Sequence, residues 1–126
     1  MFIHAFLNNI TFMQAIQSIN IMEKFSLFQK QWTPHIIGEL NGQYVKLCKI
    51  KDDFVWHSHE NEDELFMVFK GTLLMDFRDG RTVEVKEGEI LIVPKGVEHR
   101  PRVEPQPKEN NDHGSEDDGF AHSEIR

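Results

Sequence analysis

The sequence predicts an all-β fold, an antiparallel barrel or sandwich, over most of the chain that follows Pro34. Short runs rich in strand-forming residues alternate with glycine- and aspartate-containing turns at close spacing. Asp79-Gly80 separates Met75–Phe77 from Thr82–Val85, which is the pattern of a tight hairpin. No stretch in this region has the alternation of strand and long helix that a βαβ unit requires.

The individual strands follow from the period-two pattern and from the turns that interrupt it. The predicted strands are Tyr44–Ile50, Phe54–His59, Leu65–Phe69, Thr72–Phe77, Thr82–Val85 and Ile90–Val93. The turns between and beside them are predicted at Asn41-Gly42, Asp52-Asp53, Glu60–Asp63, Gly71, Lys86–Gly88 and Pro94–Gly96.

The two ends of the chain differ from this central region. Residues 1–21 are predicted to be an N-terminal extension with a short helix, because Phe12, Ile16 and Ile19 are spaced i, i+4, i+7 and Asn9 can cap it. Met22 is an alternative start of the chain. A second helical stretch is predicted between Met22 and Trp32, ended by Pro34.

The segment after Pro101 is predicted to be a disordered acidic tail, residues 102–126. It holds seven acidic and three basic residues, and three of the five prolines lie between positions 101 and 107. Such a segment buries too little apolar area to offset the entropy lost on ordering. The β domain is therefore assigned to residues 22–101.

Composition restricts the function classes. At 126 residues the chain is one domain, and a net charge of −7 without a basic stripe argues against a nucleic-acid partner. Cys48 is the only cysteine, which excludes an intrachain disulfide and fits a reducing, cytoplasmic compartment. No apolar run has the roughly 18 residues of a membrane span, so no membrane partner is expected.

Four residues in the central region are suited to hold a metal ion. Alternate residues of a strand point to one face, so His57 and His59 present two imidazoles about 6.5–7 Å apart at the backbone. Glu64 begins the next strand, and His99 follows the Pro94–Gly96 turn. Three imidazoles and one carboxylate suit Fe, Mn, Zn, Ni, Co or Cu better than Mg or Ca. Glu62 is a rival carboxylate ligand within the same acidic run.

The two stretches resemble the paired motifs of the cupin superfamily. The first reads H-x-H-x4-E-x6-G, with His57, His59, Glu64 and Gly71, and the second reads G-x5-P-x-G-x2-H, from Gly88 to His99. The resemblance implies a jelly-roll β-barrel, a metal bound by His57, His59, Glu64 and His99, and a homodimer. Cupins usually continue past the last histidine with further strands, and the polar tail here shows no strand pattern.

The region from Met22 to Pro101 is similar to small cupins described as mannose-6-phosphate-isomerase-like. The resemblance implies a metal-dependent enzyme acting on a small polar molecule, of isomerase or dioxygenase type, or else a non-catalytic module that binds a metal and a small molecule. Catalytic residues other than metal ligands are unknown. Tyr44, Lys46 and Arg100 are expected either to face the ligand or to lie on the surface. Trp56, Phe66, Phe69 and Phe77 are expected in the core.

Overall fold

The computed structural model describes residues 16–104 and the backbone of residues 120–125. Its one helix within those ranges, α1, spans Ile21–Ser26. The strands are β1 His35–Leu40, β2 Gln43–Ile50, β3 Glu64–Lys70, β4 Thr72–Phe77, β5 Thr82–Lys86, β6 Ile90–Val93, β7 His99–Arg102 and β8 Phe120–Ile125.

The strands form two antiparallel sheets, which confirms the all-β prediction. One sheet has the order β1-β2-β8-β3-β6 and the other has the order β5-β4-β7. Among the described strands, none of one sheet pairs with a strand of the other sheet. The arrangement is therefore a sandwich rather than one closed barrel. No helix in the described part of the chain has the length and apolar character needed to cross a bilayer.

Tight turns form at Asn41-Gly42 and Asp79-Gly80, where the sequence predicts them. Asn41 and Gly42 have φ angles of 52° and 75° and join β1 to β2, as a type I′ hairpin requires. Gly80 has a φ of 89°, and its N–H donates to Phe77 O at 3.1 Å to close the β4–β5 hairpin. Strand β1 itself has no counterpart among the predicted strands.

Strand β8 contradicts the prediction of a disordered segment from residue 102 onward. Phe120–Ile125 lies between β2 and β3, with six Cα partners on β2 and five on β3. The prediction was also wrong at the start of that segment, because Arg102 ends β7 and Val103 is 5% exposed in the core. Long-range pairing outweighs the polar composition of these residues. Residues 105–119 lie outside the described ranges.

The main core lies between the two sheets. Its fully buried residues are Cys48, Ile50, Phe66, Val68, Leu73, Met75, Val85, Val93 and Val103. Of the aromatic residues expected in the core, Phe66 is buried there and Phe77 packs against it from a partly buried position. Trp56 instead lies under two guanidinium groups, with Arg78 Cζ 4.0 Å and Arg100 Cζ 5.2 Å from its ring centroid.

Helix α1 covers the outer face of the five-stranded sheet. Asn20 caps it by accepting a hydrogen bond from Glu23 N at 3.0 Å. Phe25 is 4% exposed and packs with Leu47 and, edge to face at 5.8 Å, with Phe69. Leu47 precedes the inward-facing Cys48 and so points to the opposite face of the sheet.

The structure confirms only part of the predicted helical content. Helix α1 overlaps the stretch predicted from Met22 to Trp32, but it begins one residue earlier, at Ile21, and ends at Ser26. Residues 16–20 have no helical structure, and the rest of the helix predicted from Asn9 lies outside the described residues.

The stretch predicted as a strand at Phe54–His59 is not a continuous strand. Asp53 and His57 make isolated bridges to Arg102 and His99 of β7. Asp52 has a φ of 58°, and this left-handed residue interrupts the extended path after β2. The irregular segment still runs beside β7, and this placement carries the first histidine motif to the edge of the smaller sheet.

Candidate metal centre

The structure brings His57, His59, Glu64 and His99 together. Each offers one ligand atom, and these four atoms all lie within 4.8 Å of one another. Glu64 is 2% exposed and His99 is 1% exposed, whereas His57 and His59 are partly buried. The cluster therefore has a buried side and a side that opens toward solvent.

Backbone pairing places the first and last histidines opposite each other. His57 N donates to His99 O at 3.0 Å, and His99 N donates to His57 O at 2.9 Å. The two residues form a hydrogen-bonded antiparallel pair, and their ring centroids are 4.3 Å apart. The two imidazoles therefore start from directly opposite positions on two neighbouring chain segments.

The same two imidazoles are oriented by main-chain carbonyls. Nδ1 of His57 lies 2.9 Å from Val55 O, and Nδ1 of His99 lies 2.9 Å from Val97 O. A carbonyl can only accept, so each Nδ1 carries a proton, and in the neutral imidazole this leaves the lone pair on Nε2. Metal-binding histidines are commonly oriented by such a contact on the other ring nitrogen.

The carboxylate of Glu64 lies between the imidazoles of His59 and His99. Its Oε2 contacts His59 Nε2 and lies 3.7 Å from His99 Nε2. Glu64 is the first residue of β3 and pairs with Val93, the last residue of β6, so the turn that follows β6 lies next to the carboxylate. A buried carboxylate among three imidazoles is a donor set that fits a divalent transition metal.

The Pro94–Gly96 turn is tied to the first histidine motif. Gly96 N donates to His59 O at 2.7 Å, and Lys95 N donates to Asp63 Oδ1 at 2.9 Å. Gly96 has a φ of 78°, a conformation that strains a residue with a side chain. These contacts fix the position from which the chain enters β7 and reaches His99.

The structure separates the two carboxylates that the sequence left as alternatives. Glu62 is exposed and does not belong to the cluster, whereas Glu64 is buried within it. Asp63, between them, fixes the turn through Lys95. This role could not be predicted, since nothing in the sequence of an acidic run distinguishes a turn-fixing residue from a solvated one.

A cavity of about 310 Å³ adjoins the cluster. The described residues that line it are Trp32, Pro34, Cys48, Phe54, Val55, His57, His59, Glu64, Phe66 and Pro101. Most of these are apolar or aromatic, and three belong to the cluster. The lining residues Trp32, Pro34 and Phe54 were not predicted from the sequence, where their one signal is that they are large apolar residues in otherwise polar connecting segments.

Arg100, for which the sequence left a ligand-facing and a surface position open, belongs to a separate network of charged groups. Its guanidinium and that of Arg102 both donate to Asp76 Oδ2, at 2.9 and 2.7 Å, while Thr82 donates to Asp76 Oδ1. Burial alone would raise the pKa of Asp76, but hydrogen bonds from Arg102, Thr82 and Arg100 outweigh it and lower that pKa from 3.8 to about 2. The network links β4, β5 and β7, and the pair Asp76–Arg100 is next to the pair Phe77–His99 in the ladder.

Tyr44 and Lys46 do not belong to the described lining of the cavity either. Tyr44 is 44% exposed, and the Lys46 ammonium lies 5.9 Å from the centroid of the Tyr44 ring. Tyr44 lies near the start of β2 and Lys46 in its middle, and neither is buried as Cys48 and Ile50 are.

Comparison with known proteins agrees with this geometry. The family described as Cupin domain matches residues 47–106. A solved cupin-2 domain containing protein from Shewanella frigidimarina is 37% identical, with a TM-score of 0.73 over 86% of this chain and 92% of that chain. Protein NMB1881 from Neisseria meningitidis is 30% identical, with a TM-score of 0.71 over 86% of this chain and 97% of that one.

A curated relative matches a shorter stretch of the chain. The uncharacterized protein YdbB of Bacillus subtilis is 42% identical over 66 residues, which are 52% of this chain. The match spans 58% of that relative's own length, less than two thirds of it.

Proposed function

This chain belongs to the cupin family, and we propose that it is a metal-dependent enzyme that acts on a small molecule in the cavity beside the four-residue cluster. The observation that carries the proposal is the convergence of four donor atoms within 4.8 Å at the wall of that cavity. A solvated arrangement of surface histidines would not place Glu64 and His99 at 1–2% exposure. Buried ionisable groups in such a cluster are typical of metal sites.

The residues that would hold the metal are His57, His59, Glu64 and His99. A divalent transition metal bound there supplies Lewis-acid or redox chemistry toward a ligand in the cavity. Val55 O and Val97 O accept from Nδ1 of His57 and His99, which orients the two rings and leaves their Nε2 atoms to face the cluster. Glu64 contributes the negative charge, and the buried ring of Phe66 excludes water from one side.

The composition of the cavity favours an oxygenase type of reaction over sugar-phosphate isomerisation. A phosphosugar needs cationic and hydrogen-bonding partners along its length, and the described lining contains neither lysine nor arginine. An isomerase also needs an acid or base in addition to the metal. Apart from the cluster, the described lining offers one ionisable side chain, the thiol of Cys48.

The scarcity of ionisable side chains in the described lining also supports a second candidate function, a non-catalytic module that binds a metal and a small molecule. A protein that only binds its ligand requires no acid or base beside the metal. Oxygen uptake and isomerase assays on metal-loaded protein distinguish the two. Full metal content without turnover in either assay would favour the binding module.

The metal assignment is tested with a pair of neighbouring carboxylates. Purified protein is expected to hold about one transition metal ion per chain, measured by inductively coupled plasma mass spectrometry. Glu64→Gln is expected to weaken metal affinity by roughly 10- to 100-fold or more, because even partners outside the ligand set have effects of that size. His57→Ala is expected to behave similarly.

Glu62→Gln is the matched control, since it makes the same chemical change two residues away on an exposed side chain. It is expected to keep the metal content of the unmodified protein. Equal metal content in Glu62→Gln, Glu64→Gln and His57→Ala would refute the assignment.

We also propose that the protein is a homodimer in a reducing, cytoplasmic compartment. Ile90 and Ile92 on the edge strand β6 are each 55% exposed, and such an apolar edge favours association between copies. The presence of one cysteine in the chain supports the compartment. Light scattering coupled to size exclusion tests the dimer, and a monomer mass at micromolar concentration would exclude it.

A further inference from the structure

We propose that the cavity selects a small molecule with a flat aromatic body and an oxygen-bearing head that reaches the four-residue cluster. The inference rests on the proposed function, because the head is recognised by the metal. It goes further by naming the class of ligand and the residues that select it. It also replaces the small polar molecule expected from the sequence with one that is mostly apolar.

An aromatic wall leads from the cavity to the cluster. The rings of Trp32 and Phe54 are stacked, with centroids 4.7 Å apart and an interplanar angle of 14°. Phe54 in turn meets the His57 imidazole edge to face at 5.3 Å. A flat ring that enters beside this wall can add to it by offset or edge-to-face contact, with its polar end directed at His57.

Trp32 is held in a conformation that costs free energy. Its φ of 57° lies in the left-handed region, which is uncommon for a residue as bulky as tryptophan. Its backbone N–H donates to Lys49 O at 2.8 Å, and its indole N–H donates to Lys51 O at 2.7 Å. Hydrogen bonds to Lys49 in β2 and to Lys51 just after it therefore fix both the backbone and the ring plane, so the wall is ordered before a ligand binds.

The rest of the described lining is suited to the same ligand. Pro34, Val55, Phe66 and Pro101 present apolar surface, and the polar groups lie mainly at the cluster. A sugar would lose hydrogen bonds to water along such walls, whereas an aromatic ring would gain from leaving water. A volume of about 310 Å³ is at the lower end for small-molecule pockets and accommodates a single-ring compound.

The position of Phe54 gives the ligand a way in. Its side chain is 38% exposed, and Val55 beside it is 62% exposed, so the aromatic wall reaches the surface. The buried end of the cavity lies at Glu64 and Phe66, each 2% exposed. A ligand that enters head first therefore passes along Phe54 before its oxygens reach the cluster.

The test uses two probes that share a metal-binding head. Acetohydroxamate and benzohydroxamate both carry the hydroxamate group and differ by a methyl against a phenyl group. Benzohydroxamate is expected to bind metal-loaded protein at least about tenfold more tightly, because the phenyl group is buried against the wall. Equal affinity of the two probes would overturn the inference.

Fluorescence gives a second, local readout. The chain has two tryptophans, so Trp56→Phe leaves Trp32 as the sole indole. Trp56 lies between Arg78 and Arg100, and its replacement is expected to leave the affinity ratio of the probes unchanged. Benzohydroxamate is expected to quench the Trp32 emission of this variant more strongly than acetohydroxamate does at equal occupancy. Absence of that difference would contradict contact with the wall.

The wall is tested by Phe54→Ala and by Phe54→Leu, which retains apolar volume but removes the ring. Both are expected to lower the ratio of the affinity for benzohydroxamate to the affinity for acetohydroxamate. Phe54→Leu is also expected to keep the metal content, so that it reports on probe binding alone. An unchanged ratio in Phe54→Leu and Phe54→Ala would refute a selective wall. Loss of metal from the unmodified protein would refute the proposed function and this inference together, whereas full metal with equal probe affinities would refute this inference only.

Discussion

Removal of residues 120–126 is predicted to abolish cooperative folding. Strand β8 pairs with β2 at six Cα positions and with β3 at five. A strand of this length between two antiparallel neighbours places nearly all its N–H and C=O groups in the ladders, about ten hydrogen bonds. At a net contribution of about 0.5–1.5 kcal/mol each, they sum to roughly 5–15 kcal/mol.

That range equals the whole stability of an ordinary domain, about 5–15 kcal/mol. Without β8, the ladder edges of β2 and β3 would face each other across the width of a missing strand. Cys48 and Phe66, which carry cavity surface on those two strands, would lose their fixed separation. The truncated chain is therefore expected to lose metal binding as well as its folded structure.

The assay is urea denaturation followed by far-UV circular dichroism and tryptophan fluorescence, with metal content measured on the same samples. Removal of Arg126 alone is the control, because it leaves Phe120–Ile125 intact. A truncated protein with a cooperative transition at the same urea midpoint as the control would refute the assignment of β8 to the sheet.

Two further predictions concern the elements around the cluster. The pKa of Asp76 falls from 3.8 to about 2 on folding, so its ion pairs contribute about 2 kcal/mol at pH above about 4, and this stability is lost as the pH falls from about 4 toward 2. Urea midpoints measured across that range should fall less steeply for Asp76→Asn than for the unmodified protein, and parallel pH profiles would contradict the network. Gly96→Ala is expected to cost about 1–2 kcal/mol because of its φ of 78°, and to weaken metal binding by shifting the turn before His99. Gly38→Ala is the control, since a Cβ there meets only Ile19 Cδ1 at an ordinary 3.7 Å, and equal urea midpoints for the two variants would contradict the strain.

Local signals allowed the hairpins and the cluster to be predicted from the sequence. Asn41-Gly42 and Asp79-Gly80 specify their turns through backbone conformation alone, independently of the rest of the chain. The four cluster residues lie in two spaced motifs, and each motif carries its own turn. Their convergence required only that the irregular segment with His57 and strand β7 with His99 lie side by side.

Features that depend on distant contacts could not be predicted in this way. Strand β8 is stabilised by β2 and β3, far from it in sequence, and it follows a polar, acidic run in which no strand pattern is evident. The ring stack between Trp32 and Phe54 joins two connecting segments whose proximity depends on the path of the chain after β2. Glu62 and Glu64 are chemically equivalent in sequence, and only burial distinguishes them.

The position of β8 also has a consequence for biosynthesis. On the ribosome, β2 and β3 emerge long before the strand that joins them, so their inner edges remain open while the intervening chain is made. The larger sheet can close only after Phe120–Ile125 has left the exit tunnel, whereas the hairpin of β4 and β5 can form earlier. The nascent chain is therefore most exposed to mispairing with other chains during this interval, when two open strand edges await one late partner.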